Sequence, residues 1–221
     1  MRVLVIAPHM DDEVLGVGGT IARHVVEHDE VYVCFVAHRV YDHQFDPKKN
    51  KTEIIASHKA QKVLGYKEAA FLNLNDERLD VCLQDIIIPL EKYIAKIEPD
   101  IAYICHRGDN NQDHRAVFQA AMVALRPSAN KDLKKVLSYE VPSSTEQSPP
   151  FPEYAFSPNY YVNIEHYLDI KLKAMRCYEK ERRASPHPRS EEGLTITARR
   201  RGIESGFSAA EAFIIVREKR D

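Results

Sequence analysis

Within five residues the stretch Pro8-His9-Met10-Asp11-Asp12-Glu13 gathers one imidazole and three carboxylates, groups that can bind a divalent cation or move a proton. His9 and Asp12 are three apart and can turn toward one point, while Asp11 between them points elsewhere and stays free for proton work. Imidazole nitrogen and carboxylate oxygen are ordinary zinc ligands, and a catalytic zinc takes three protein ligands and keeps a further position for water. The third ligand must come from elsewhere. The best candidate is His114 in Asn110-Asn111-Gln112-Asp113-His114, with Asp113 as a group that orients a ligand or the base.

Both clusters follow short apolar runs. Val3-Leu4-Val5-Ile6 is continuous and largely β-branched, the pattern of a strand buried on both faces of a parallel sheet. Ile101 to Cys105 reads the same way, so both clusters fall at strand mouths, where open α/β sheets gather their ligands. Further strands are expected at 30–36, 69–72, 136–140, 159–164 and 212–216. Helices are expected from Gly18 to Glu27, over 52–64 with Gly65 as C-cap, over 82–97, over 116–125, over 165–178, and from about Glu191 until Gly202 and Gly206 break it. This alternation predicts one α/β domain over 1–221: a Rossmann-like, mostly parallel sheet with helices on both faces and a C-terminal extension over its carboxyl edge.

The same residues resemble a known family. Pro8-His9-Met10-Asp11-Asp12-Glu13 is similar to the (A/P)HPDDE motif of the PIG-L/LmbE-like zinc deacetylases, and Gln112-Asp113-His114 to the end of their HPDH motif. The resemblance continues through Gly16-Val17-Gly18-Gly19-Thr20, Leu74-Asn75-Asp76 and Ala210-Glu211-Ala212-Phe213 and covers nearly the whole chain. It implies Zn2+ held by His9, Asp12 and His114, other divalent metals being able to use the same ligands. It also implies a zinc-activated water attacking an amide carbonyl, with Asp11 as general base and a small N-acetylated amino sugar conjugate of the N-acetylglucosamine type as substrate. Four positions depart from the family pattern. Met10 stands where the family has proline, Asn111 where it has the first histidine of HPDH, and Glu53 and Ala56 where it has an Arg-x-x-Glu pair.

A donor to replace the histidine lost at 111 is sought in two places. His187 lies between Pro186 and Pro188, which stiffen the segment, and is preferred over His106 as general acid or oxyanion donor. Its neighbour Arg189, like Arg39 in the polar segment after the second strand, is a candidate for contact with substrate. Asp76 matches a family position but also suits an Asx-turn. The segment from Val141 to Pro158 reads as a specificity loop, and one of Arg199, Arg200 and Arg201 as a possible binder of an anionic group.

Composition narrows the partners. A net charge of −2 gives no reason to expect nucleic acid or an anionic membrane, and no apolar run approaches the ~20 residues of a spanning helix. Four cysteines without CxxC spacing read as reduced thiols of a cytoplasmic protein, and the N-terminus enters a strand with no export signal. A homo-oligomer is compatible with all of this. Three rival readings stand beside the deacetylase: an amidase or deacylase on a non-sugar amide, a silent metal-binding relative, and a nucleotide-binding module. Gly16, Gly18 and Gly19 do not follow GxGxxG, which weighs against the last.

Overall fold

The computed structural model describes residues 1–220. The elements run β1 (Arg2–Ala7), α1 (Asp12–Val26), β2 (Glu30–His38), a small hairpin of β3 (Val40–Tyr41) and β4 (Gln44–Phe45), α2 (Pro47–Leu64), β5 (Glu68–Asn75) and α3 (Leu83–Ile97). They continue with β6 (Ile101–Cys105), α4 (Gln112–Ala124), β7 (Lys135–Tyr139), a 3-10 turn at Thr145–Gln147, β8 (Tyr160–Asn163), α5 (Leu168–Met175), α6 (Glu191–Ser205) and β9 (Ala210–Glu218).

Among the described residues the main sheet has seven strands in the order β5-β2-β1-β6-β7-β9-β8. The first five are mutually parallel, and β9 runs antiparallel to both β7 and β8. The predicted α/β class is therefore correct, including helices on both faces. α1, α2, α5 and α6 pack together on one side, and α3 with α4 on the other. That double cover explains the apolar run of β1, whose Val3 to Ala7 are fully buried.

The strand order places the site. From β1 the chain moves outward through β2 and β5, then returns to lay β6 on the other side of β1. The direction of winding thus reverses between β1 and β6, and the loops leaving these two strands diverge there to form a crevice. His9 follows the first strand and His114 the second.

Local chemistry shifts several boundaries from those expected. α1 begins at Asp12, inside the acidic motif rather than at Gly18, with Asp12 and Glu13 in its first turn, where carboxylates suit the positive end of the helix dipole. A phosphate cradle would need that position uncharged, so the nucleotide-binding alternative loses its physical basis. α2 starts at Pro47, five residues early, because the Asp46 side chain caps the backbone N–H groups of Lys48 and Lys49, and Pro47 suits the first helical position. α4 starts at Gln112 for the same reason, capped by Asn111. α5 is shorter than expected, and Gly202 lies within α6, where a bare Cα admits the Phe207 carbonyl oxygen to 2.5 Å of an added Cβ. Gly16 serves similarly: a Cβ there would meet the Tyr139 ring at 2.2 Å, so only glycine lets α1 close onto β7.

Candidate metal centre

Three potential ligand atoms converge at the switch point, Asp12 Oδ2 being aimed there by the His9 backbone N–H at 2.8 Å. His9 Nδ1, Asp12 Oδ2 and His114 Nε2 lie 3.4, 3.3 and 3.3 Å from one another, and none of the three residues is more than 2% exposed. Metal–ligand bonds of 2.0–2.1 Å at tetrahedral angles put ligand atoms about 3.3 Å apart. The triad therefore has the edge lengths of one face of a zinc tetrahedron, and the residues present fit a divalent metal. No metal is required to explain their identity as polar groups, but three buried lone pairs facing one point are otherwise hard to satisfy.

Each histidine is backed by a carboxylate. His9 Nε2 lies 2.9 Å from Asp76 Oδ1 and 3.2 Å from Asp113 Oδ2, so in the neutral imidazole that binds a metal the proton sits on Nε2 and Nδ1 offers the lone pair. Asp113 is itself fixed by backbone N–H groups of Glu77 at 2.7 Å and Leu79 at 3.1 Å. With Asp113 saturated in this way, the grouping of His9, Asp76 and Asp113 is a support for the triad rather than a second cation site. Asp109 Oδ1 stands 3.3 Å from His114 Nδ1, off hydrogen-bond geometry, and Asp109 is held in turn by Ser144, by Thr145 at 2.6 Å and by the Asn111 N–H at 2.8 Å.

This surround is strongly negative. Burial alone would lower the proton affinity of both imidazoles, but Asp113, Asp12 and Asp76 raise His9 well above its usual value. Asp12 and Asp109 likewise raise His114 to about 9. Asp12 is driven the opposite way: burial favours its acid form, yet His114 and His9 hold it well below the carboxylate range. The same field that retains imidazole protons attracts a divalent cation.

Asp11 completes the cluster. It is fully buried, and its φ of 119° with ψ of −26° is a left-handed backbone that a residue with a Cβ adopts at a cost of order 1–3 kcal/mol. Oδ2 accepts from Arg189 Nη1 at 2.9 Å, while Oδ1 is buried without a partner. Burial pushes this carboxyl up to about 7, and Arg189 opposes the rise. Arg189 is itself held by Ser143 at 2.6 Å and by Glu181 at 2.8 Å, and Glu181 also receives Arg39 at 3.0 Å.

Of the residues singled out in the sequence, His9, Asp11, Asp12, Asp113, His114, Arg39 and Arg189 come together here. Asn111 instead caps α4, its Oδ1 accepting the Asp113 N–H at 2.8 Å. The His187 ring meets its own turn, Nδ1 accepting the Arg189 N–H at 3.1 Å, and has no contact with the triad among the described residues. His106 Nε2 donates to the Tyr154 carbonyl at 3.0 Å, away from the triad. Arg201 pairs with Glu140 through both nitrogens at 2.7 Å and with Glu204, so it is occupied as a structural cation.

Sequence reasoning left Asp109 and Glu181 without roles. Asp109 lay within a polar run that offered no way to rank its members, and Glu181 was hidden in the basic turn Lys180 to Arg183. Glu13 was also left without a role. It takes the Tyr178 hydroxyl at 2.6 Å and the Asp11 N–H at 3.1 Å, and burial raises it to about 8.

A parallel-sheet switch point carrying a buried His-Asp-His cluster with an adjacent carboxylate defines an α/β protein with a candidate metal centre. The family model described as PIG-L, GlcNAc-PI de-N-acetylase, matches residues 4–125, and the chain belongs to that family. It is 32% identical over 183 residues to an uncharacterized deacetylase, YaiS, of Escherichia coli K12, covering 80% of this chain and 90% of that one. It is 24% identical to the diacetylchitobiose deacetylase of Thermococcus kodakarensis, covering 81% of this chain and 70% of that one. Among solved structures, the 4-carboxy-2-hydroxymuconate hydratase GalB of Pseudomonas putida KT2440 aligns with a TM-score of 0.78 at 19% identity, over 100% of this chain and 98% of that one. The fold thus occurs in proteins titled for different reactions, and function must be argued from the site.

Proposed function

We propose that the protein is a metal-dependent N-deacetylase acting on an N-acetylated amino sugar conjugate, with zinc as the metal. The reading is carried by three buried ligand atoms at 3.3–3.4 Å with an adjacent buried carboxylate, Asp11, that keeps one oxygen unpaired. The deacetylase class comes from the family and its named relatives; the amino sugar rests on the family description and on the chitobiose enzyme.

His9, Asp12 and His114 would hold a divalent metal, which would supply a Lewis acid and lower the pKa of water toward 7. Asp11 accepts the proton of the attacking water through its unpaired Oδ1, while Arg189 fixes the other oxygen and opposes the rise in proton affinity that burial causes. As the C–N bond breaks, that proton passes to the departing amine, giving acetate and a free amino sugar. His187 is assigned as donor to the oxyanion: with Nδ1 accepting from Arg189, its Nε2 carries the hydrogen.

The test is acetate release from a panel of N-acetylglucosamine conjugates by zinc-loaded and chelator-stripped protein. Zinc-dependent release from one conjugate is expected. Asp11→Asn is expected to retain zinc and lose turnover by roughly 10²-fold or more, whereas His114→Ala loses zinc and turnover together. Release only from acetylated amines that lack a sugar would move the substrate assignment, and most of the turnover surviving in Asp11→Asn would remove Asp11 as the base.

A further inference from the structure

Beyond β7 the segment from Pro142 to Phe156 performs two tasks. Its first turn is built into the metal centre. Ser143 Oγ accepts Arg189 Nε at 2.6 Å, and the hydroxyls of Ser144 and Thr145 hold Asp109 beside His114. Its remainder walls an open groove of two cavities, about 280 and 510 Å³, which share Glu140, Glu146, Arg200 and Arg201 in their linings. The smaller is lined on its apolar side by Pro142, Pro186, Pro188 and Ile196, the larger by the run from Pro149 to Phe156.

The groove borders the residues that hold the base. Pro142 and Pro188 line it, and their chain neighbours Ser143 and Arg189 meet at 2.6 Å, with Arg189 continuing to Asp11 at 2.9 Å. Its two arginines are already paired within the protein. Arg201 is taken by Glu140 and Glu204, Arg200 pairs with Glu204 at 3.1 Å, and Glu146 accepts the Ser143 N–H at 2.7 Å. Its exposed apolar side chains are Ile196, 59% exposed, and Phe151, 56% exposed, and the exposed Arg200 beside them is paired with Glu204. Such a surface gains by covering an uncharged, flat or aliphatic group and gains nothing from a second charge.

We propose that this groove receives the aglycone of the sugar conjugate, and that the aglycone is an apolar or aromatic group rather than an anionic one. The assignment rests on the amino sugar deacetylase reading, because it is the reacting sugar at Asp11 that brings its aglycone alongside Pro142 and Pro188. The segment that contacts the aglycone is then the segment that holds Asp109 and Arg189, so occupancy of the groove and order at the metal centre are physically linked.

The test compares methyl and 4-nitrophenyl glycosides of N-acetylglucosamine. The wild-type chain is expected to turn over the aryl glycoside with kcat/KM on the order of tenfold higher, the difference lying in KM. Ile196→Asp and Phe151→Ala alter exposed side chains and are expected to abolish that advantage while leaving the methyl glycoside rate unchanged. Equal kcat/KM for the two glycosides, or an advantage that survives both substitutions, overturns the assignment. Calorimetric titration of Asp11→Asn protein with the aryl glycoside reads the groove without turnover, and affinity there should fall about tenfold on adding Ile196→Asp. Unchanged affinity overturns the groove assignment whatever the outcome for acetate release, whereas groove binding without acetate release from either glycoside overturns only the reaction.

Discussion

At the scale of single residues, His114 faces two carboxylates, Asp12 at 3.3 Å and Asp109 at 3.3 Å, and holds its proton up to about pH 9. A metal ligand must offer a neutral imidazole, so metal uptake displaces that proton. The sign follows directly. Below about pH 9 each displaced proton makes zinc affinity rise about tenfold per pH unit, and above it the dependence flattens. His9, raised in the same direction, adds a second proton, whereas Asp12 is already ionised and adds none. Calorimetry in two buffers of different ionisation enthalpy measures the release. An affinity that does not change between pH 6 and pH 8 would contradict this account of the site.

At the scale of elements, α1 must hold Asp12 in register with His114 on α4, and the interior of the protein fixes it by a buried ion pair. Glu211 of β9 accepts the backbone N–H groups of Gly19 at 2.9 Å and Thr20 at 2.7 Å, both in the middle of α1. Lys171 of α5 donates to Glu211 at 2.6 Å and to the Leu15 carbonyl at 2.9 Å, one turn beyond Asp11. Both side chains are nearly fully buried, so removing one partner strands the other. Lys171→Met is predicted to cost about 3–5 kcal/mol in urea unfolding, with part recovered when Glu211→Gln is added. A loss below about 1 kcal/mol would mean that the pair is not desolvated as its burial indicates.

At the scale of the whole molecule, a metal on the triad would tie the start of α1, after β1, to the start of α4, after β6, across the point where the winding reverses. A ligand bound only by the folded chain stabilises it by about 2.7 kcal/mol at a hundred times its Kd. For a chain of this length that corresponds to a rise in Tm of roughly 5–11 °C. Zinc added to chelator-stripped protein should produce this shift, and His114→Ala should remove it. An unchanged Tm would show that the triad does not hold zinc in the folded state.

The sequence alone determined the fold class and where its two polar clusters fall. A β-branched run followed by His9-x-Asp11-Asp12, and a second followed by Asp113-His114, was enough to locate both strand mouths, because buried parallel strands and metal ligands each use few residue types. The helix starts at Asp12, Pro47 and Gln112 were misread by several residues, since a cap depends on which nearby side chain turns back to the N–H groups. The roles of Asp76, Asp109 and Glu181 were decided only by the tertiary structure. Each is placed by a partner far from it in sequence: Asp76 meets His9, Glu181 meets Arg39, and Asp109 is held beside His114 by Ser144 and Thr145. A carboxylate carries no mark in the sequence of the partner it will meet, and only closure of the sheet brings these groups within hydrogen-bond reach.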